Sequence, residues 1–204
     1  MEALLLNYRA VLESLDEASK EFGSTTSARA NGLHSYLMNG KCVLGLKSSL
    51  PIIRIMDTIN QMLQSTKTTV GGMIEAVEMC VKNLDSLRNM DSFKEIYESA
   101  EESIEQNDLD PIPMERPRKL PRKIDQGASN HSFTSAKEKS RAEYYSVIDS
   151  TTNLLNSYFD SPDIKEFKAM SDMLIDGKYD GDLCSKYPEF SQNLEHELKF
   201  FHLQ

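Results

Sequence analysis

Five cations lie close together near the middle of the sequence, among regularly spaced prolines. Residues 111–125 read PIPMERPRKLPRKID, and four of the seven prolines of the chain fall within this segment. Proline fixes φ and removes a backbone donor, so the segment cannot form the interior of a helix. We expect it to be extended, with its charge solvated or in contact with an anion. The five cations, called the basic strip below, are Arg116, Arg118, Lys119, Arg122 and Lys123.

Three roles fit the basic strip. Its side chains could bind nucleic-acid phosphates, because Lys and Arg that approach a polyanion release condensed counterions. A run of this composition is also typical of a nuclear import signal. Alternatively, the strip could pack along an acidic helical surface of its own domain, which the formal net charge of −9 favours. Aromatic residues do not interleave with the cations, so stacking on single-stranded bases is not indicated.

A second segment resembles the beginning of an EF-hand calcium loop. Asp176 would occupy its first position, Asp180 its fifth, and Gly181 the position that requires glycine. Lys178, however, stands where a ligand is needed, and Tyr187 replaces the bidentate glutamate that closes such a loop. We therefore interpret residues 176–188 as a solvated polar loop rather than a calcium site.

Metal and nucleophile patterns are weak elsewhere. The cysteines Cys42, Cys80 and Cys184 are an odd number in a chain without a secretory signal, which favours reduced thiols. None of them forms a CxxC pair, which argues against a zinc knuckle. His196 and His202 are six residues apart, a spacing that does not place them on one helix face. The sequence contains no GxSxG, Walker loop or GxGxxG motif. We expect no metal site, no cofactor and no autonomous enzyme.

The composition describes a soluble globular chain. Of the 204 residues, 27% are charged and 39% hydrophobic, and no apolar run reaches the eighteen or so residues that a membrane helix needs. The N-terminus has no signal-peptide pattern. We expect a nuclear or cytoplasmic protein that does not contact membranes. The negative net charge opposes nucleic-acid binding by the whole surface but leaves a local basic segment free to bind.

Apolar residues recur at three- and four-residue steps, which predicts helices. The helix over 28–64 should break near Asn39 and Gly40, and Pro51 should kink it or mark a new start. Capping-box spacing at Ser92 and at Ser135 predicts where two helices begin, and Ser161 followed by proline predicts a third. The predicted helices cover about 4–22, 28–64, 70–87, 93–104, 137–159, 162–174 and 188–201.

These patterns predict an all-α fold. No segment shows sustained period-two alternation, so we expect about seven helices in a bundle, with no sheet. Residues 108–135 have no apolar period and are predicted to form a long extended linker across the surface. The helical halves, 1–107 and 136–204, each present apolar stripes that need partners. We expect them to pack together as one domain.

The order of several short motifs resembles hAT-superfamily transposases, in the branch of zinc-finger MYM-type and TTF-type transposase-like proteins. The likeness extends over nearly the whole chain. It is carried by EALLLNYRAVLESLD at 2–16, LQS at 63–65, LDSLR at 84–88, FKEIY at 93–97, PRKLPRKID at 117–125, His131 with Phe133, Tyr144 and Tyr145 with Asp149, Tyr158 with Phe159, YPEF at 187–190 and LEHEL at 194–198.

This resemblance implies a helical domain of the kind that is inserted into a ribonuclease-H-like catalytic core. In the family, three acidic metal-binding residues lie outside this insertion, and no such set is visible in the chain. Tyr158 also replaces an arginine of the family pattern. The resemblance thus implies a non-catalytic fragment, excised or domesticated, that acts as a nuclear, DNA-associated scaffold. Its expected partners are DNA through the basic strip, the remaining transposase core or another protein. The alternative is a protein-interaction module with no nucleic-acid role.

Overall fold

The computed structural model describes residues 1–20, 25–65, 69–114, 133–187 and 194–201. Within these ranges it contains ten helices and no strand, which confirms the predicted all-α class. One isolated parallel bridge joins Asn39 to Asp110. The helices are α1 (Glu2–Leu6), α2 (Tyr8–Ser19), α3 (Thr25–Leu37), α4 (Gly40–Leu63), α5 (Val70–Leu87), α6 (Met90–Gln106), α7 (Ala136–Phe159), α8 (Pro162–Asp176), α9 (Gly181–Ser185) and α10 (Leu194–Phe201).

The chain divides into two compact units. Unit 1 comprises Met1–Arg54 and Ser86–Ile148, and unit 2 comprises Ile55–Asp85 and Asp149–Gln204. Each unit therefore takes residues from both sides of the 108–135 segment. Both ends of that segment belong to unit 1.

Unit 1 has an aromatic core. The rings of Phe93 and Tyr97 on α6 lie 5.8 Å apart, and the ring of Tyr144 on α7 lies 5.8 Å from Phe93. Tilted pairs at this distance add to the stabilisation that burial of the rings provides. The other buried apolar residues described in this unit are Tyr8, Leu12, Ala30, Val43, Leu44, Ile52, Ala100, Leu109 and Ile148.

Two side chains fix the helices of unit 1 to backbone groups far away in the sequence. The hydroxyl of Tyr8 donates to the carbonyl of Leu37 at 2.6 Å, and burial raises the pKa of this phenol. The amine of Lys47 on α4 donates to the carbonyl and hydroxyl oxygens of Ser99 on α6, at 2.7 and 2.6 Å. Burial lowers the pKa of this lysine, because a desolvated ammonium is disfavoured.

Unit 2 buries a smaller apolar cluster. Met173 on α8, Cys184 on α9 and Leu198 on α10 pack together, and the Cys184 thiol lies 3.6 Å from the Met173 sulfur. Sulfur atoms adapt well to irregular cores of this kind. The other buried apolar residues described in unit 2 are Ile59, Ala76, Val77, Cys80, Leu84, Leu155 and Leu183.

The structure decides between the two alternatives at Pro51 and corrects the first predicted helix. The break between α3 and α4 falls at Asn39, as predicted, and α4 continues through Pro51 to Leu63, so no new helix starts there. Leu44 and Ile52 are buried on either side of the proline, and their burial outweighs one lost backbone hydrogen bond. The first predicted helix is instead divided at Asn7, whose side-chain amide donates to the carbonyl of Ala3 at 2.9 Å. Its predicted end at Phe22 lies outside the described residues.

The predicted caps are correct for two helices and wrong for one. Ser161 accepts a hydrogen bond from the backbone of Ile164 at the start of α8, and Ser135 accepts one from Glu138 at the start of α7. Helix α6, however, begins at Met90, because the side chain of Asn89 accepts from the backbone of Ser92 at 2.8 Å. Asparagine in an extended conformation is an effective cap, so it takes the role predicted for Ser92.

Candidate nucleic-acid interface

All five residues of the basic strip lie within 115–132, outside the residues that the structure describes. Arg116, Arg118, Lys119, Arg122 and Lys123 thus remain sequence-based candidates. The structure does describe both flanks of this segment, and each flank has a defined place in unit 1.

The N-terminal flank is attached to the junction of α3 and α4. Asp108 adopts a left-handed conformation with φ of 51° at the end of α6, a position that short polar side chains tolerate. Leu109 is only 8% exposed. The backbone of Asp110 donates to Met38 and accepts from Gly40, both at 2.9 Å. A single leucine between two aspartates forms no periodic pattern, so this attachment could not be predicted from the sequence.

The C-terminal flank leads into a cavity of about 390 Å³ between the first turns of α6 and α7, called the α6–α7 cleft below. Phe93 and Met90 provide apolar walls, and Thr134 and Ser135 lie at the start of α7. The charged residues that line the cleft are Asp91, Lys94, Lys137, Glu138 and Arg141.

The charged groups of the cleft differ in how well they are paired within the described residues. Glu138 accepts two hydrogen bonds from Thr134, at 2.9 Å from its backbone and 2.7 Å from its hydroxyl. The Arg141 guanidinium donates to the thioether of Met90 at 2.8 Å, and the Lys137 amine lies 5.0 Å from the centre of the Tyr97 ring. Lys94 approaches Glu98 at 3.8 Å. The cations are therefore less fully paired than the nearest carboxylate.

The α6–α7 cleft is not apparent from the sequence. Lys94 and Lys137 are more than forty residues apart, and the packing of α6 near α7 brings them to one cavity. The available signal was the four-residue spacing of Lys137 and Arg141, which places both on one face of α7.

An apolar groove of about 760 Å³ lies elsewhere in unit 1. Leu33 and Tyr36 on α3 line it and are 55% and 66% exposed. Leu4, Leu37 and Leu46 complete its apolar lining. Exposed aliphatic and aromatic side chains around one groove are typical of surfaces that bind other proteins.

The segment with calcium-loop spacing has a different structure from the predicted loop. Gly177 ends α8 in a left-handed conformation with φ of 67°. The Asp180 carboxylate accepts hydrogen bonds from Asp182 and Leu183, at 3.0 and 3.1 Å, and thereby begins the short helix α9. The prediction of a loop throughout 176–188 is wrong at 181–185, because this cap and the burial of Leu183 favour a helical turn.

Replacing Asp180 with alanine should lower the free energy of unfolding by about 1 kcal/mol, because two backbone N–H groups lose their acceptor. Urea denaturation measures this change. Asp176→Ala is the matched control, since no hydrogen bond of that side chain is described. If millimolar Ca²⁺ stabilised the wild type but not the Asp180→Ala variant, the interpretation of Asp180 as a cap would be wrong.

In the part of the chain that the structure describes, no group of three His, Cys, Asp or Glu side chains is placed to hold a metal ion. No helix in the same ranges is both long and apolar enough to cross a membrane.

Comparisons with known proteins give no family assignment. No family model matches the chain, and no match was found among curated proteins or solved structures.

Proposed function

We propose that the chain is a non-catalytic helical domain of a hAT-type transposase-like protein, and that it contacts the DNA backbone through the basic strip in the nucleus. The observation that carries this proposal is the clustering of five cations within eight positions of a chain with a net charge of −9. Such local excess of positive charge is the electrostatic pattern of phosphate contact. The order of motifs across the chain supports the same class of protein.

The attachment of the flanks to unit 1 supports a binding role for the strip. Leu109 and Asp110 are held in unit 1 on one side, and α7 begins in unit 1 on the other. A charged segment with both ends fixed loses less conformational entropy on binding than one with a free end. The carboxylates of the helices, in turn, disfavour DNA contact by the acidic faces of those helices.

Neutralising the basic strip should weaken duplex DNA binding at least about tenfold near 100 mM salt, because each phosphate contact contributes about 0.9 to the slope of log affinity against log salt. The variant carries Gln at Arg116, Arg118, Lys119, Arg122 and Lys123. Fluorescence anisotropy with a duplex of about 20 base pairs, over a range of salt concentrations, gives affinity and slope.

A control variant with the same charge change separates the strip from the net charge. It carries Gln at three arginines and two lysines that lie outside both the strip and the α6–α7 cleft: Arg9, Arg29, Arg54, Lys82 and Lys178. A wild-type chain that does not bind at low salt would contradict the proposal. So would a strip variant that binds as well as this control.

The apolar groove of unit 1 favours the second candidate, a protein-interaction module that does not bind nucleic acid. Its exposed residues Leu33 and Tyr36 would face an apolar segment of another protein, such as a transposase core. The DNA titration distinguishes the two candidates. This second function would be favoured if the chain shows no salt-dependent affinity for DNA but binds a recombinant transposase core. The substitutions Leu33→Ser and Tyr36→Ser should then abolish binding to the core.

A further inference from the structure

We infer that the α6–α7 cleft binds a phosphate group of the same nucleic acid that the basic strip contacts. This inference rests on the proposed function, and it adds a second contact site formed by residues of two helices. The residues that carry it are Lys94 on α6 and Lys137 with Arg141 on α7.

The balance of charge in the cleft favours an anion. Three cations face two carboxylates, Asp91 and Glu138. The Glu138 carboxylate is already the acceptor of two hydrogen bonds from Thr134, which reduces its competition for the lysines and the arginine. The cleft therefore retains cationic donors for an anion from outside.

Arg141 lines the cleft and offers the donor geometry that best matches a phosphate. Within the described residues, its hydrogen bond is to the thioether of Met90, which is a weak acceptor. A guanidinium has five donors in a planar arrangement that matches two oxygens of one phosphate. Exchange of the thioether for phosphate oxygens would thus replace a weak hydrogen bond with two charge-assisted ones.

The two lysines line the same cavity, one from each helix. Lys137 lies one helical turn before Arg141 on α7, and its amine rests over the ring of Tyr97, 5.0 Å from the centre. Lys94 comes from α6, and its contact with Glu98, at 3.8 Å on an exposed surface, contributes little. Both amines can therefore turn toward a phosphate without breaking a strong interaction.

The size and position of the cleft agree with a nucleic-acid ligand. A volume of about 390 Å³ exceeds that of a phosphate ion, and the apolar walls leave room for an attached sugar. Lys123 of the strip and Thr134 of the cleft are eleven residues apart. Covalent geometry limits their separation to about 40 Å, so a duplex of about 20 base pairs is long enough to contact both.

The double variant Lys137→Gln with Arg141→Gln tests the inference on the full chain. We expect its affinity for the 20-base-pair duplex to fall about threefold to tenfold near 100 mM salt, and the salt slope to fall by about 1. The matched control is Arg29→Gln with Lys82→Gln, which also removes one arginine and one lysine from exposed helix positions. Circular dichroism shows whether each variant remains helical.

A second measurement uses the wild-type protein and does not depend on a variant that folds. In NMR spectra, addition of the duplex should shift the side-chain Nε–Hε signal of Arg141 more than that of Arg29. Inorganic phosphate alone is the other arm. The nucleic-acid assignment would be overturned if inorganic phosphate shifts the Arg141 signal at a concentration equal to or lower than the concentration of DNA phosphate that does so. The cleft would then be a site for free phosphate.

The outcomes separate this inference from the proposed function. If the wild type binds DNA and the cleft variant binds like its control, without an Arg141 shift, the cleft inference is wrong and the strip remains. If the cleft variant weakens binding while the strip variant does not, the proposed role of the strip is wrong and the cleft remains. Absence of DNA binding by the wild type overturns both.

Discussion

Replacing Ile148 with alanine should lower the free energy of unfolding by about 3 to 5 kcal/mol, the upper part of the range for aliphatic core truncations. Ile148 on α7 has no exposed surface, and it is among the largest fully buried side chains described. Its truncation removes three carbon atoms from contact with the core and leaves a cavity where neighbours cannot fully relax. Urea denaturation followed by circular dichroism at 222 nm measures the change.

Leu154 is the control on the same helix. Its side chain is 58% exposed, so Leu154→Ala makes a similar chemical change without opening a cavity. We expect a loss below about 0.5 kcal/mol, since alanine also has the higher helix propensity. Equal losses for the two variants would mean that α7 does not present Ile148 to a packed core, and the described fold of this helix would be wrong.

The sequence predicts the helices well where one apolar stripe repeats over several turns. Val77, Cys80 and Leu84 recur at three- and four-residue steps, and all three are buried on α5. Pro51 shows the limit of local rules, because the burial that outweighs its lost hydrogen bond is a tertiary effect. Asn89 and Asp180 are caps whose roles depend on a backbone conformation that periodicity does not reveal.

The candidate sites differ in how far sequence alone can define them. The basic strip is contiguous, so its charge is visible without a structure. The α6–α7 cleft combines Lys94 with Lys137 and Arg141, which follow Lys94 by more than forty residues. The packing of the helices brings these residues to one cavity, so the sequence alone does not reveal the site. Leu109 is a similar case, since its burial depends on where the chain meets the junction of α3 and α4.

That junction gives the second large effect. Replacing Gly40 with alanine should lower the free energy of unfolding by about 2 to 3 kcal/mol, because a methyl group there has no space. A Cβ at Gly40 would lie 2.5 Å from the carbonyl oxygen of Asp110 and 2.7 Å from Cδ1 of Ile104. Ile104 can rotate, but the Asp110 carbonyl is backbone and accepts the hydrogen bond from Gly40 at 2.9 Å.

Gly32→Ala is the control, because it makes the same substitution in the interior of α3, where a Cβ would meet nothing within 4 Å. It should stabilise the protein by about 0.5 to 1 kcal/mol through helix propensity, so the two variants are expected to differ in sign. Hydrogen exchange localises the effect of Gly40→Ala: the Asp110 amide, which donates to Met38, should lose protection first. Unchanged protection of that amide, with stability equal to wild type, would show that the N-terminal flank of the basic strip is not attached at Gly40.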